Sequence, residues 1–136
     1  MTNCIHSTSG MIAGMTPTLL DGVFVFATIP DLTRAAFAAD AVATFKEAEG
    51  LSLILPIETA RAQNIPIESE MRCITLNVYS SLEGVGLTAA VAQALADEGI
   101  ACNMVAAYHH DHAFVPASDA DRAMAVLTAL QSSASA

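Results

Sequence analysis

The chain has 136 residues, 54% of them hydrophobic and 14% charged, and fourteen acidic side chains against five basic ones leave a net charge of −9. That apolar content excludes a disordered chain. The shortage of cations excludes nucleic acid and anionic membrane as partners, because such binding rests on clustered Lys and Arg.

No apolar run approaches the roughly 18–20 residues that span a bilayer. Residues 1–10 carry no basic start and no apolar signal core, so the expected localisation is cytoplasmic. The three cysteines, Cys4, Cys73 and Cys102, are an odd number, and no disulfide is expected. So few charges leave part of the apolar surface for a subunit interface, and a homodimer is the simplest expectation.

Residues 1–18 read as an N-terminal tail. The run Val23–Ile29 is a strand candidate closed by Pro30, and the Ala-rich stretch 31–40 fits a short helix. Residues 41–47 alternate, Glu49-Gly50 reads as a turn, and Leu51–Leu55 returns, which together make a hairpin. Pro56 suits the first turn of a short helix over 57–63, ended before Ile65-Pro66.

The second half has the clearer periodicity. Residues 72–79 alternate, with Ile74, Leu76 and Val78 on one face and Cys73, Thr75 and Asn77 on the other, which is the pattern of a half-buried strand. Val85, Thr88, Val91 and Leu95 recur at helical spacing over 84–98, and Gly99 suits the position just past the helix end. A strand over 100–108, a turn at 109–112 and a short strand over 113–115 follow. Ser118 then reads as the cap of a last helix, with Asp119 and Asp121 in its first turn and Ala120, Ala123, Met124, Leu127 and Leu130 as its buried stripe. Residues 132–136 read as a C-terminal tail.

Both halves thus run strand, helix, strand, strand, helix, most of a βαββαβ unit. The fold class is α+β, two ferredoxin-like units over 19–68 and 69–131 with antiparallel sheet and helices on one face. The second unit lacks an obvious final strand, and the sequence does not say what fills that edge.

Residues 71–100 (MRCITLNVYSSLEGVGLTAAVAQALADEGI), with 103–116 (NMVAAYHHDHAFVP) and 45–56 (FKEAEGLSLILP), resemble the bacterial ACT-domain proteins of the group related to the CASTOR arginine sensors. The resemblance covers about 19–130. It departs at two positions, where the family pattern has His in place of Tyr79 and Tyr in place of His109. It implies a tandem ACT fold; many ACT domains bind amino acids at unit or subunit interfaces, so the expected ligand is a free amino acid held where the 80–87 loop meets the other unit or a second subunit.

The segment Ser80, Ser81, Leu82, Glu83, Gly84, Val85, Gly86 joins a strand to a helix. A helix N-terminus offers unpaired N–H groups and a partial positive charge to a carboxylate, and the two glycines let a ligand approach the backbone. Ser80 and Glu83 also have the spacing of a capping box; the two readings are compatible. In the ACT family this loop is the usual ligand loop, so these residues, with Leu87 and Asn103, are the candidate ligand-binding set.

His109, His110, Asp111 and His112 are metal-capable residue types. Residues so close in a tight turn diverge in direction, so a turn with exposed histidines is the expectation and no metal site is assigned. Cys73 and Cys102 sit in strand patterns as small buried hydrophobes. No nucleophile elbow, P-loop or dinucleotide fingerprint is present, so no catalytic residue and no cofactor are expected. Two functions remain: a non-catalytic amino-acid-binding or amino-acid-sensing module, and a ligand-free module that dimerises or docks on a partner.

Overall fold

The computed structural model describes residues 7–30, 32–79 and 82–135. In chain order the elements are α1 (Thr8–Ala13), β1 (Pro17–Leu19), β2 (Phe24–Ile29), a 3-10 helix (Leu32–Asp40), β3 (Ala43–Glu47), β4 (Gly50–Pro56), α2 (Ile57–Ala62), β5 (Met71–Leu76), α3 (Leu87–Asp97), β6 (Asn103–Ala106), β7 (Asp111–Pro116), a 3-10 turn (Ala117–Asp119) and α4 (Ala120–Ser135). They divide into two compact units, residues 22–71 and residues 1–21 with 72–136.

In the unit of residues 22–71 the strands order β3-β4-β2, all antiparallel, with Phe26 opposite Ile54 and Phe45 opposite Ser52. The pleat sends Val25, Leu51, Leu53 and Leu55 to one face, where they join Ile57 and Ala60 of α2 in a buried cluster. Phe26 and Phe45 lie on the opposite face by the same register and are exposed. α2 ends with Asn64 at φ 54. Asn64 N–H donates to the Arg61 carbonyl and Ile65 N–H to the Ala60 carbonyl, the paired bonds of a Schellman stop.

In the second unit the strands order β1-β5-β7-β6. Here the N-terminal segment answers the question of the missing strand: β1 pairs antiparallel with β5, Pro17 opposite Leu76 and Leu19 opposite Ile74. Residues expected to be a tail therefore complete a sheet. The same correction holds for α1, whose Met11 and Ile12, with Met15 just beyond, are buried in the cluster of Ile74, Leu76, Val91, Leu95 and Leu127. The signal was present in the Met11, Ile12, Met15 spacing and in Ser7, whose hydroxyl accepts from Gly10 N–H as the helix cap. At the other end α4 runs on to Ser135 rather than fraying at 132.

Ile74, Leu76, Val78, Val91, Leu95, Phe114 and Leu127 are buried as expected, and Leu130 is half-buried against the core. α3 closes as its glycine suggests: Gly99 N–H donates to Ala96 O and Ile100 N–H to Leu95 O, at 2.9 and 3.0 Å. Its start differs from the expectation. The helix begins at Leu87 with Gly86 as its N-cap and no side-chain cap bond, so the Ser80–Glu83 spacing is not a capping box, because Glu83 lies before the helix. Ser118 likewise falls inside the 3-10 turn and caps nothing. Arg122 bonds Asp119 at 3.0 Å and the Glu98 carbonyl at 2.6 Å, which fastens the start of α4 to the end of α3.

Candidate functional site: the cavity at the start of α3

The turn into α3 is built around Gly86. Its φ of 109° is one that only glycine adopts freely. Ala90 N–H donates to the Gly86 carbonyl as the first helical bond. The amides of the first turn have no acceptor within the helix, and the macrodipole adds partial positive charge there.

Beside this turn lies a cavity of about 120 Å³ within the second unit. Leu82, Gly84, Gly86, Leu87 and Thr88 form one wall. Ala106 and Ala107 from the end of β6, Asp111 from the start of β7 and Met11 from α1 complete it. Asp111 is the acid among these lining residues, and no Lys or Arg is among them. An anionic group would meet backbone N–H donors and a cationic group would meet a carboxylate. That division of charge suits a zwitterion better than a phosphate.

Four candidate residues, Leu82, Gly84, Gly86 and Leu87, line this cavity. Ser80 and Ser81 lie outside the described residues. Glu83 and Val85 are exposed and are not among the lining residues. Asn103 sits at the far end of β6 and donates to the Phe114 carbonyl at 3.4 Å. Met11, Thr88, Ala106, Ala107 and Asp111 were not foreseen; Asp111 was read only as a turn residue and Met11 as part of a tail.

The space above Gly86, read from sequence as room for a ligand, is filled by the chain itself. A Cβ on Gly86 would lie 2.6 Å from Thr8 Oγ1 and 2.7 Å from Thr8 Cγ2, and the Thr8 hydroxyl donates to the Val85 carbonyl at 2.5 Å. α1 therefore closes one side of the loop, and the cavity opens beside it.

The β6–β7 turn carries the histidines. Ala107 N–H donates to the His110 carbonyl at 3.0 Å, which leaves Tyr108 and His109 as an exposed tip. Tyr79 and His110 pack ring to ring at 5.0 Å. His112 is half-buried on β7, with Nδ1 3.0 Å from the Thr75 hydroxyl. Burial pushes its pKa down, His110 adds to that, and Asp111 opposes it. Among the described residues no group of three His, Cys, Asp or Glu is placed to hold a metal ion. Burial pushes the Cys73 thiol up to about 11, against a hydrogen bond with Thr75, and pushes Cys102 up as well, so neither carries thiolate character at neutral pH.

A larger, more open depression of about 310 Å³ lies in the other unit, lined by Phe26, Ala27, Thr28, Ile65, Pro66 and Glu68. It has neither a glycine turn nor a helix start among its lining, so the smaller cavity is the better candidate.

An ACT-domain model matches residues 4–72 and a second ACT-domain model matches residues 68–129. The chain belongs to the ACT-domain family, with two ACT domains in tandem. The first match includes residues 7–21, which in space belong to the compact unit of residues 72–136. Among solved structures, a Vibrio cholerae protein of unknown function, described as a possible transport protein, is 38% identical, with a TM-score of 0.81 over 90% of this chain and 94% of that one. An Agrobacterium tumefaciens protein is 19% identical, with a TM-score of 0.73 over 85% of this chain and 87% of that one. The regulatory subunit of aspartate kinase from Thermus flavus is 12% identical, with a TM-score of 0.63 over 84% and 95%, a likeness of fold alone. Comparison with proteins of curated function finds no match. Among the described residues no helix is long and apolar enough to cross a membrane.

Proposed function

We propose that this tandem ACT protein is a non-catalytic regulatory module that binds a free amino acid in the cavity at the start of α3. The observation that carries the reading is the cavity's lining: Gly86, Leu87 and Thr88 at the start of α3, whose first-turn amides lack helical acceptors, together with Asp111 and no basic side chain among the lining residues. An α-carboxylate and an α-ammonium have that complementarity. The regulatory character of ACT domains and the fold shared with an aspartate kinase regulatory subunit support it. The group related to the CASTOR arginine sensors remains the subfamily we propose, and cytoplasmic the compartment.

A second reading is a ligand-free interaction module. Phe45, 73% exposed on the helix-free face of one unit, favours it, since exposed apolar surface marks interaction sites. A homodimer is compatible with both readings. A thermal-shift panel of the common amino acids separates them. A ligand at 100 times its dissociation constant adds about 2.7 kcal/mol, worth on the order of 10 °C in a chain of this size. A flat panel would leave the interaction module as the better account.

A further inference from the structure

We infer that α1 makes the cavity selective for the smallest amino acids, glycine, alanine and serine, an inference that rests on the amino-acid-binding reading above. A dry cavity of about 150 Å³ accepts benzene, six heavy atoms. The cavity here measures about 120 Å³, which holds glycine or alanine fully and serine closely. Leucine or arginine exceeds that volume and would have to displace a wall or leave its side chain in the opening beside the exposed Leu82, Ala106 and Ala107.

α1 is the wall that decides this. Met11 lines the cavity and is 1% exposed, so its side chain has packed neighbours and little freedom to swing away. Thr8 seals the next turn by its bond to the Val85 carbonyl and by filling the space over Gly86.

The segment behind α1 is fastened rather than hinged. Thr16 holds a φ of 35°, a rare conformation for a β-branched residue that persists only where surroundings impose it. Asn77 imposes it from β5's end, its amide N–H donating to the Met15 carbonyl at 2.5 Å and its side-chain amide to the Thr16 carbonyl at 2.9 Å. Gln131 of α4 donates to the Ala13 carbonyl at 2.7 Å. A wall held by bonds from two other elements excludes by size, whereas a loose one would adapt. The opposite wall is small-sided, Ala106 and Ala107, and can be filled without touching the core.

The test is calorimetric titration of the full chain with glycine, alanine, serine, valine, leucine and arginine. The three small amino acids should bind at least tenfold more tightly than leucine and arginine. Met11→Ala should bring valine and leucine to within tenfold of alanine. Because Met11→Ala can lose the fold, Ala107→Val is the companion variant: exposed in the free protein, it should weaken serine and alanine at least tenfold and glycine less. Leucine or arginine binding the wild type as tightly as alanine overturns the size inference and leaves amino-acid binding standing. An Ala107→Val protein with unchanged affinities overturns the assignment to this cavity. If none of the six binds, the reading beneath falls with it.

Discussion

At the scale of single residues, Gly86 and Thr8 form a pair that cannot be changed independently. Any side chain at position 86 carries the cost of φ 109° and meets Thr8 at 2.6 Å. Gly86→Ala should therefore destabilise by more than about 1 kcal/mol, and combining it with Thr8→Ala should recover part of that loss, because the contacts with Oγ1 and Cγ2 are removed while the Thr8 Cβ at 3.2 Å and the backbone strain stay. Urea midpoints of the two single variants and the double variant measure this as a coupling energy; strict additivity would mean that Thr8 is not in contact.

His112 makes a different prediction. Its pKa lies below the ordinary 6.5 in the folded state, chiefly through burial. As pH falls, the unfolded chain takes up the proton first, so stability from this group is complete above about 6.5 and declines as pH falls from there toward the folded-state value. His112→Gln should flatten that part of the stability profile between pH 7.5 and 5.5. An unchanged slope would contradict the assignment.

At the scale of elements, α3 and the N-terminal segment carry the account. Leu95 is fully buried at the centre of the second unit's cluster, and Leu95→Ala should cost roughly 2–5 kcal/mol. Met11→Ala should fall in the same range, although its sequence position suggests a dispensable tail; thermal or urea denaturation reads both. A Met11→Ala variant as stable as wild type would mean that α1 does not belong to the core.

The contrast between these two elements explains what the sequence could reveal. β5 and α3 are legible because each writes its period over many residues: Ile74, Leu76 and Val78 at spacing two, Val91 and Leu95 at spacing four. The stop at Gly99 is local chemistry and was equally legible. β1 is three residues long and its identity as a strand comes from pairing with β5, some 55 residues away in sequence, which no local pattern encodes. The loop into α3 was recognisable from its glycines, but its contact with Thr8 and the approach of Ala106, Ala107 and Asp111 are tertiary facts. Gly86 was read as leaving room for a ligand, and the room is taken by a segment that is distant in sequence.

At the scale of the molecule, the two compact units present different surfaces. One carries the cavity. The other exposes Phe45 on its helix-free face, at 73%, and a chain with 14% charged residues has few means to keep such a face solvated. Light scattering should find a homodimer, and Phe45→Lys should shift it toward monomer with little effect on stability, as expected of an exposed site. A clean monomer at high concentration would remove the dimer from the account.

The central claim, an amino acid in the cavity beside α3, is tested most directly by mapping amide chemical shifts of the labelled protein during titration with alanine. Binding should move the amides of 84–90, 106–107 and 111 in a saturable way and leave the Phe26 and Phe45 strands unmoved. Saturable shifts confined to the 310 Å³ depression around Phe26 and Ile65, or no shifts with any common amino acid at millimolar concentration, would contradict it.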